Sequence, residues 1–347
     1  MSAVILQKKL YYPLGPELLE YLRQGDRFLP APLRYADLLR FEGSVPLRDH
    51  RDTETLWESV LYPQADREEL FTQLKRVYAW LKTAGNLEVM QHLQVERVDF
   101  CSFGNSRPFR VKIVNRYNDN HDYFYVKVPD ASRVYGLELE DVLSPNRISY
   151  LVDEHTLVEE HITGIPGDVF AHEHLHRFKG TRIAKEFVKF NERCFVRLLG
   201  DMRAYNFVVV MTGDFDGTQF RFRAIDFDQQ CYEGSKRVYL PHLFTENAPY
   251  VTLGMNLLNR VTALQYQQEE RTLMARRASA SRRRLNALLG LLAREQLSPP
   301  EKTGVLRDAL ARHYTHPAFL ECATMGELVK ESLRLLLPPA ERAHVLP

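Results

Sequence analysis

Three side chains offer oxygen donors at a spacing that suits metal-assisted group transfer: Asp201, Asn206 and Asp226. Asp201 and Asn206 lie five positions apart in LLGDMRAYNFVVV and lead directly into an apolar run. Asp226 comes twenty residues after Asn206, at the end of a second β-rich run, QFRFRAIDF. The turn-like GDFDG between the runs predicts a hairpin, which returns Asp226 to the loop carrying Asp201 and Asn206. Phosphoryl transfer needs such a set. Mg2+ takes hard oxygen ligands, commonly one or two carboxylates with phosphate and water completing its shell, and a further carboxylate receives the proton of the attacking hydroxyl. A D-x-x-x-x-N spacing alone arises by chance; the strand, turn, strand and aspartate that follow give it specificity.

Those loops need a scaffold. VERVDFCSF, FRVKIVNRY and YFYVKVP are β-rich runs beginning near residue 95, split by SFGNSRP and NDNHD. A helix over about 131–143 follows, then the strand candidates RISYLVDE and TLVEEHIT. From about 181 the pattern is helical apart from the hairpin, and it is helical again beyond 250. Residues 1–92 also read as helical, most strongly over about 67–83, where Leu70, Leu74, Val77 and Leu81 recur at helical spacing and Asp66 with Glu69 suggests a capping pair. The expected class is α+β: a helical N-terminal extension over 1–92, a small β-rich lobe over 93–163 and a larger helical lobe over 164–347.

GDMRAYN (200–206) and IDFD (225–228) resemble the catalytic and metal-binding loops of the protein-kinase-like superfamily, which includes protein kinases and the aminoglycoside and choline phosphotransferases. The resemblance covers about residues 95–230 and implies a two-lobed fold with ATP and Mg2+ in an interlobe cleft. It implies Asp201 as catalytic base, Arg203 as the cation that neutralises the transferring phosphoryl group, and Asn206 and Asp226 as Mg2+ ligands. It requires a lysine on the third strand, and YFYVKVP supplies Lys127, inside an apolar strand where a lysine costs free energy unless paired or ligand-bound. The partner glutamate is expected on the next helix. At about 100° per residue Glu138 shares a stripe with Val134 and Val142, while Glu140 points away toward water, so Glu138 is the expected partner and Glu140 the fallback. TLVEEHITGIPGD resembles the last small-lobe strand entering the hinge: backbone groups of Glu160, His161 and Ile162 would face the adenine, and Gly164 and Gly167 would permit the turn. In SFGNSRP, Ser102, Gly104 and Ser106 would present N–H groups to phosphate, although the segment does not match G-x-G-x-x-G. Leu199-Gly200 replaces the histidine usual before the catalytic aspartate, and Tyr250 follows Ala248-Pro249 where an A-P-E motif has glutamate. The acceptor is therefore left open between a protein and a small molecule.

Two other functions compete. The irregular phosphate loop and the missing histidine suggest a catalytically inactive, nucleotide-binding pseudokinase scaffold. A formal H-E-x-x-H runs from His172 through Glu173 to His176; on a helix the two histidines would share a face for Zn2+, with Glu173 as general base. No third zinc ligand is marked: Lys179 stands where a metzincin has glycine, and Glu192 is an unsupported candidate. The basic cluster Arg276, Arg277, Arg282, Arg283 and Arg284 reads as a solvated helix face or interhelix turn, with an acidic partner or phosphorylation as the functional alternative. It lacks interleaved aromatics, so nucleic acid is not an expected partner.

Among 347 residues, 46 Lys and Arg balance 45 Asp and Glu, for a formal charge of +1, so no global field draws nucleic acid or membrane. The four cysteines are far apart and read as buried or free thiols of a reducing compartment. MSAVILQKKLYY is too short in apolar residues for a signal peptide, and LNALLGLLA falls far below the roughly 20 residues needed to cross a bilayer. The expectation is a cytoplasmic protein without a membrane partner, binding a nucleotide and a hydroxyl-bearing acceptor.

Overall fold

The computed structural model describes residues 9–48, 52–83, 86–103, 106–215 and 217–338. The architecture is mixed α/β, about 51% helix and 20% strand. In chain order the elements are α1 (Pro16–Gln24), α2 (Tyr35–Leu38), β1 (Gly43–Arg48), β2 (Glu54–Leu61), α3 (Gln64–Thr83), β3 (Leu93–Phe100), β4 (Phe109–Asn115), β5 (His121–Lys127), α4 (Ala131–Leu143), β6 (Tyr150–Val152) and β7 (Leu157–Glu160). There follow β8 (Ile165–Pro166), α5 (Gly167–Glu173), α6 (Gly180–Val196), β9 (Phe207–Asp214), β10 (Gly217–Ala224), α7 (Ala248–Leu257), α8 (Arg260–Ala280), α9 (Arg282–Leu292), α10 (Pro300–Tyr314) and α11 (Met325–Leu336). The chain divides into two compact units: unit 1 is residues 1–131 with 148–161, and unit 2 is residues 132–147 with 162–347.

Unit 1 is built on an antiparallel sheet of order β1-β2-β3-β4-β5-β7-β6. Successive strand side chains point to opposite faces, so register decides what each face carries. Phe100, Phe109, Val126, Val158 and Leu151 are cross-strand neighbours and form the apolar face. Leu70, Leu74, Val77 and Leu81 of α3 join them in one core. Leu74 is fully buried there, and Leu74→Ala would cost about 2–5 kcal/mol. A second ladder, Ser59, Asp99, Arg110, Tyr125 and Glu159, forms the opposite, polar face.

The helical reading of 1–92 is corrected at 43–61, where β1 and β2 form a hairpin that widens the sheet. ETLWESVL is a half-exposed strand studded with acids and hydroxyls, so it lacks the apolar run that announces a buried one. α3 begins at Gln64, which puts Asp66 inside its first turn rather than at its cap; an acid there still suits the helix dipole.

In unit 2, β9 and β10 pair in register from Phe207↔Ala224 to Asp214↔Gly217, with Gly217 at φ +115° absorbing the turn, and β8 joins β9 on its other side. The core behind the hairpin is aromatic: Phe190 and Phe207 lie 5.1 Å apart, Phe207 and Phe222 5.4 Å, Phe187 and Tyr250 5.1 Å. A Cβ on Gly167 would meet the Phe207 ring at 2.2 Å, so this glycine serves close packing. α4 exposes nothing from Ala131 to Glu140, which overturns the expectation that Glu140 faces water. Its one-stripe reading fails because the helix is buried on every side. Among the described residues no helix is long and apolar enough to cross a membrane. The four cysteines are buried and free, and burial pushes the Cys194 thiol up to about 12.

Candidate functional site

The segment following α6 in unit 2 is fastened by its backbone. Leu198 and Asp201 adopt left-handed conformations, φ 55° and 57°, a strain that aspartate tolerates better than most residues and that persists only where surroundings enforce it. The enforcement is visible. Gly200 N–H donates to the Gln229 carbonyl (3.2 Å), Asp201 N–H to that of Val238 (2.9 Å), and Cys231 N–H to that of Leu198 (3.0 Å). The Asp201 carbonyl accepts both Arg203 N–H and Asn206 Nδ2, each at 2.8 Å. Ile225 N–H donates to the Asn206 carbonyl at 3.0 Å, closing the hairpin base and setting Asp226 beside the loop. The structure thus brings Asp201, Arg203, Asn206 and Asp226 together.

Around them lies a charge network that the sequence alone did not disclose. Arg133 of α4, only 2% exposed, donates through Nη1 to Asp226 Oδ1 (3.0 Å) and Asp228 Oδ1 (2.7 Å). Asp228 N–H also donates to Asp226 Oδ1 at 3.0 Å. Arg203 Nε donates to Asp201 Oδ1 (2.8 Å) and its Nη1 to Glu246 Oε1 (2.7 Å). Four carboxylates and two guanidiniums meet through these contacts. Burial raises the Asp201 carboxyl above its ordinary pKa; Arg203 opposes that shift, and the charges of Asp226 and Glu246 add to it. Arg133 had a signal, an arginine inside an apolar helix, and Asp228 repeats Asp226 two positions on; nothing marked Glu246.

The donor set is oxygen only, and the Asp226 side chain keeps 36% of its surface accessible. Asn206 turns its amide nitrogen to the Asp201 carbonyl and keeps its oxygen for another partner. Hard oxygens, most of them from carboxylates, fit Mg2+. Among the described residues no group of three or more His, Cys, Asp or Glu side chains is arranged to hold a metal by itself, so phosphate or water oxygens would have to complete its shell.

The other expected residues have partners in their own units. In unit 1 Lys127 Nζ donates to Glu159 Oε2 at 2.8 Å, with both side chains under 10% exposed. In unit 2 Glu138 accepts two hydrogen bonds from Arg284 (2.7 and 3.1 Å), and Asp141 a third at 2.6 Å. Glu140 pairs with Arg197 and accepts Asn146 Nδ2 at 3.0 Å. The basic cluster is therefore not simply a solvated face: Arg284 fastens α4, and Arg277 donates to the Leu143 carbonyl at 3.3 Å. Glu160 N–H donates to Ser149 O (3.0 Å) and His161 N–H to Tyr123 O (3.2 Å), so these two amide hydrogens serve the sheet. Ile162 is buried. Ser102 is exposed and Ser106 half-buried between β3 and β4; Gly104 lies outside the described residues. His172 and His176 do not share a helix, because α5 ends at Glu173 and His176 falls in a separate 3-10 turn. No protein-family model matches this sequence, and no curated protein matches it significantly.

Proposed function

We propose that this protein is an ATP- and Mg2+-dependent phosphotransferase of the two-lobed protein-kinase-like type, moving the γ-phosphoryl group to a hydroxyl on a protein or small molecule. One observation carries the reading: the Asn206 amide and the Ile225 N–H lock the Asp201 loop to the start of the Asp226 loop, within a cluster of four carboxylates and two guanidiniums. Asp201, ionised and oriented by Arg203, takes the proton of the attacking hydroxyl. Its raised pKa strengthens it as a base. Arg203, shared between Asp201 and Glu246, holds positive charge at the loop as phosphoryl charge develops. Asp226, held by Arg133 and the Asp228 amide, would bind Mg2+ together with the Asn206 oxygen. Bound there, Mg2+ would offset phosphate charge.

Arg133 also favours a second reading. A buried guanidinium on Asp226 competes with a metal for that carboxylate, as suits a non-catalytic scaffold that binds nucleotide without turning it over. The test combines thermal stabilisation by Mg2+-ATP with phosphate transfer across a panel of hydroxyl acceptors. Stabilisation plus transfer that is lost in Asp201→Ala supports the enzyme. Stabilisation without transfer selects the scaffold, and neither effect removes both readings.

A further inference from the structure

In unit 1 a groove of about 650 Å³ runs between α3 and the first residues of β3. Arg67 and Lys75 reach it from α3 and Arg116 from the turn after β4, against a single carboxylate, Glu68. Among the described residues none of these cations has an acidic partner. Arg67 rests on the Phe71 ring at 5.1 Å, Arg116 Nε donates to the neutral Gln94 amide at 2.6 Å, and among the described residues the Lys75 ammonium has no hydrogen bond or ion pair. Nearby on the same strands, Lys112 does pair, with Glu96 at 2.9 Å. The groove therefore keeps a formal surplus of two positive charges.

One wall of the groove is a strand edge. β3 lies between β2 and β4, yet β2 pairs with it only at Phe100 and Asp99. Among the described residues no strand pairs with Leu93–Arg97 on that side. Such an edge offers a row of N–H and C=O groups to another extended chain. The dimensions agree. Five strand residues span about 17 Å, and acids at alternate positions of an added strand repeat about every 7 Å. Arg67 and Lys75, eight residues apart on α3, stand about 12 Å apart along its axis.

We infer that this groove binds an extended acidic peptide segment, added as a strand along Leu93–Arg97, with its carboxylates met by Arg67, Lys75 and Arg116. Main-chain pairing supplies adhesion and the cations select acidic side chains. The inference does not rest on the proposed catalysis, since every residue in it lies outside that site.

The test is fluorescence anisotropy on the full chain with a labelled heptapeptide of alternating glutamate and threonine at low salt (~50 mM). Arg67→Glu with Lys75→Glu should weaken binding about tenfold or more, as the loss and reversal of two surface pairings predicts. Arg67 is exposed and Lys75 half-buried, and an unchanged circular dichroism spectrum verifies the fold. A peptide N-methylated at alternate amides should also bind at least about tenfold more weakly if it pairs as a strand. Three results would overturn the inference: no binding, equal binding of the alternating lysine–threonine peptide, or full displacement by inorganic tripolyphosphate together with indifference to N-methylation. The last would mark a plain anion site.

Discussion

Asp99 in unit 1 and Arg133 in unit 2 are buried charges with mirror-image surroundings. Asp99, fully buried, accepts four hydrogen bonds of 2.6–3.3 Å from two guanidiniums, Arg97 and Arg110. Arg133 faces two carboxylates, Asp226 and Asp228, that come from one four-residue loop. A carboxylate ringed by four donors on a strand has little left to offer a ligand, and the Asp99 fan fixes sheet register. Asp226 is a third exposed. A partly exposed carboxylate can accept a cation, so the proposed metal chemistry falls to unit 2, while the Asp99 fan serves as a structural brace.

The contrast is broken most sharply by deleting each carboxylate. Asp226→Ala should lower phosphate transfer by about 10³-fold or more while the protein stays folded. Transfer within tenfold of wild type would remove Asp226 from the chemistry. Asp99→Ala should do the opposite, costing about 3 kcal/mol of stability in urea unfolding because two guanidiniums lose their counter-charge, with kcat per folded molecule unchanged. A fall in kcat with intact stability would show that the brace is a site after all. Arg133→Met tests the other half of the mirror. It should cost about 1–3 kcal/mol, less than a fully buried pair because Asp226 is partly hydrated, and Mg2+ should recover more of that loss than it adds to wild type. Equal Mg2+ shifts in both proteins would mean that Arg133 and the metal do not compete.

Most of the strands around these charges were legible. The runs YFYVKVP, TLVEEHIT and QFRFRAIDF alternate or are rich in apolar and β-branched residues, and β5, β7 and β10 overlap them. β1 and β2 were not legible, because a half-exposed edge hairpin is stabilised by pairing with a neighbour that periodicity does not reveal. The loop of Asp201, Asn206 and Asp226 could be read because its members lie on either side of one hairpin. Ion-pair partners could not be read in the same way: Arg133 finds Asp226 across 93 positions, and Arg284 finds Glu138 across 146. Long-range electrostatic choices depend on packing. For the same reason α4, read as one stripe, proved buried throughout, and Glu140 turned inward to Arg197.

The smallest expected effect is the most diagnostic for Asp201. Its carboxyl lies above its ordinary pKa first because it is buried, and further because Asp226 and Glu246 place negative charge nearby, while Arg203 pulls the other way. Glu246→Gln removes one of those charges and leaves the Arg203 guanidinium, now shared with Glu246, more fully to Asp201. Both changes favour the ionised carboxylate, so both lower the Asp201 pKa. In the proposed mechanism the ionised form takes the hydroxyl proton, so activity should fall as pH drops through that pKa. The acid limb of the kcat profile should therefore move to lower pH in Glu246→Gln, with the plateau changed by no more than about twofold, because Glu246 only tunes its neighbour. A limb that stays in place or moves upward would mean that the group titrating in the profile is not Asp201, and the base would have to be sought elsewhere.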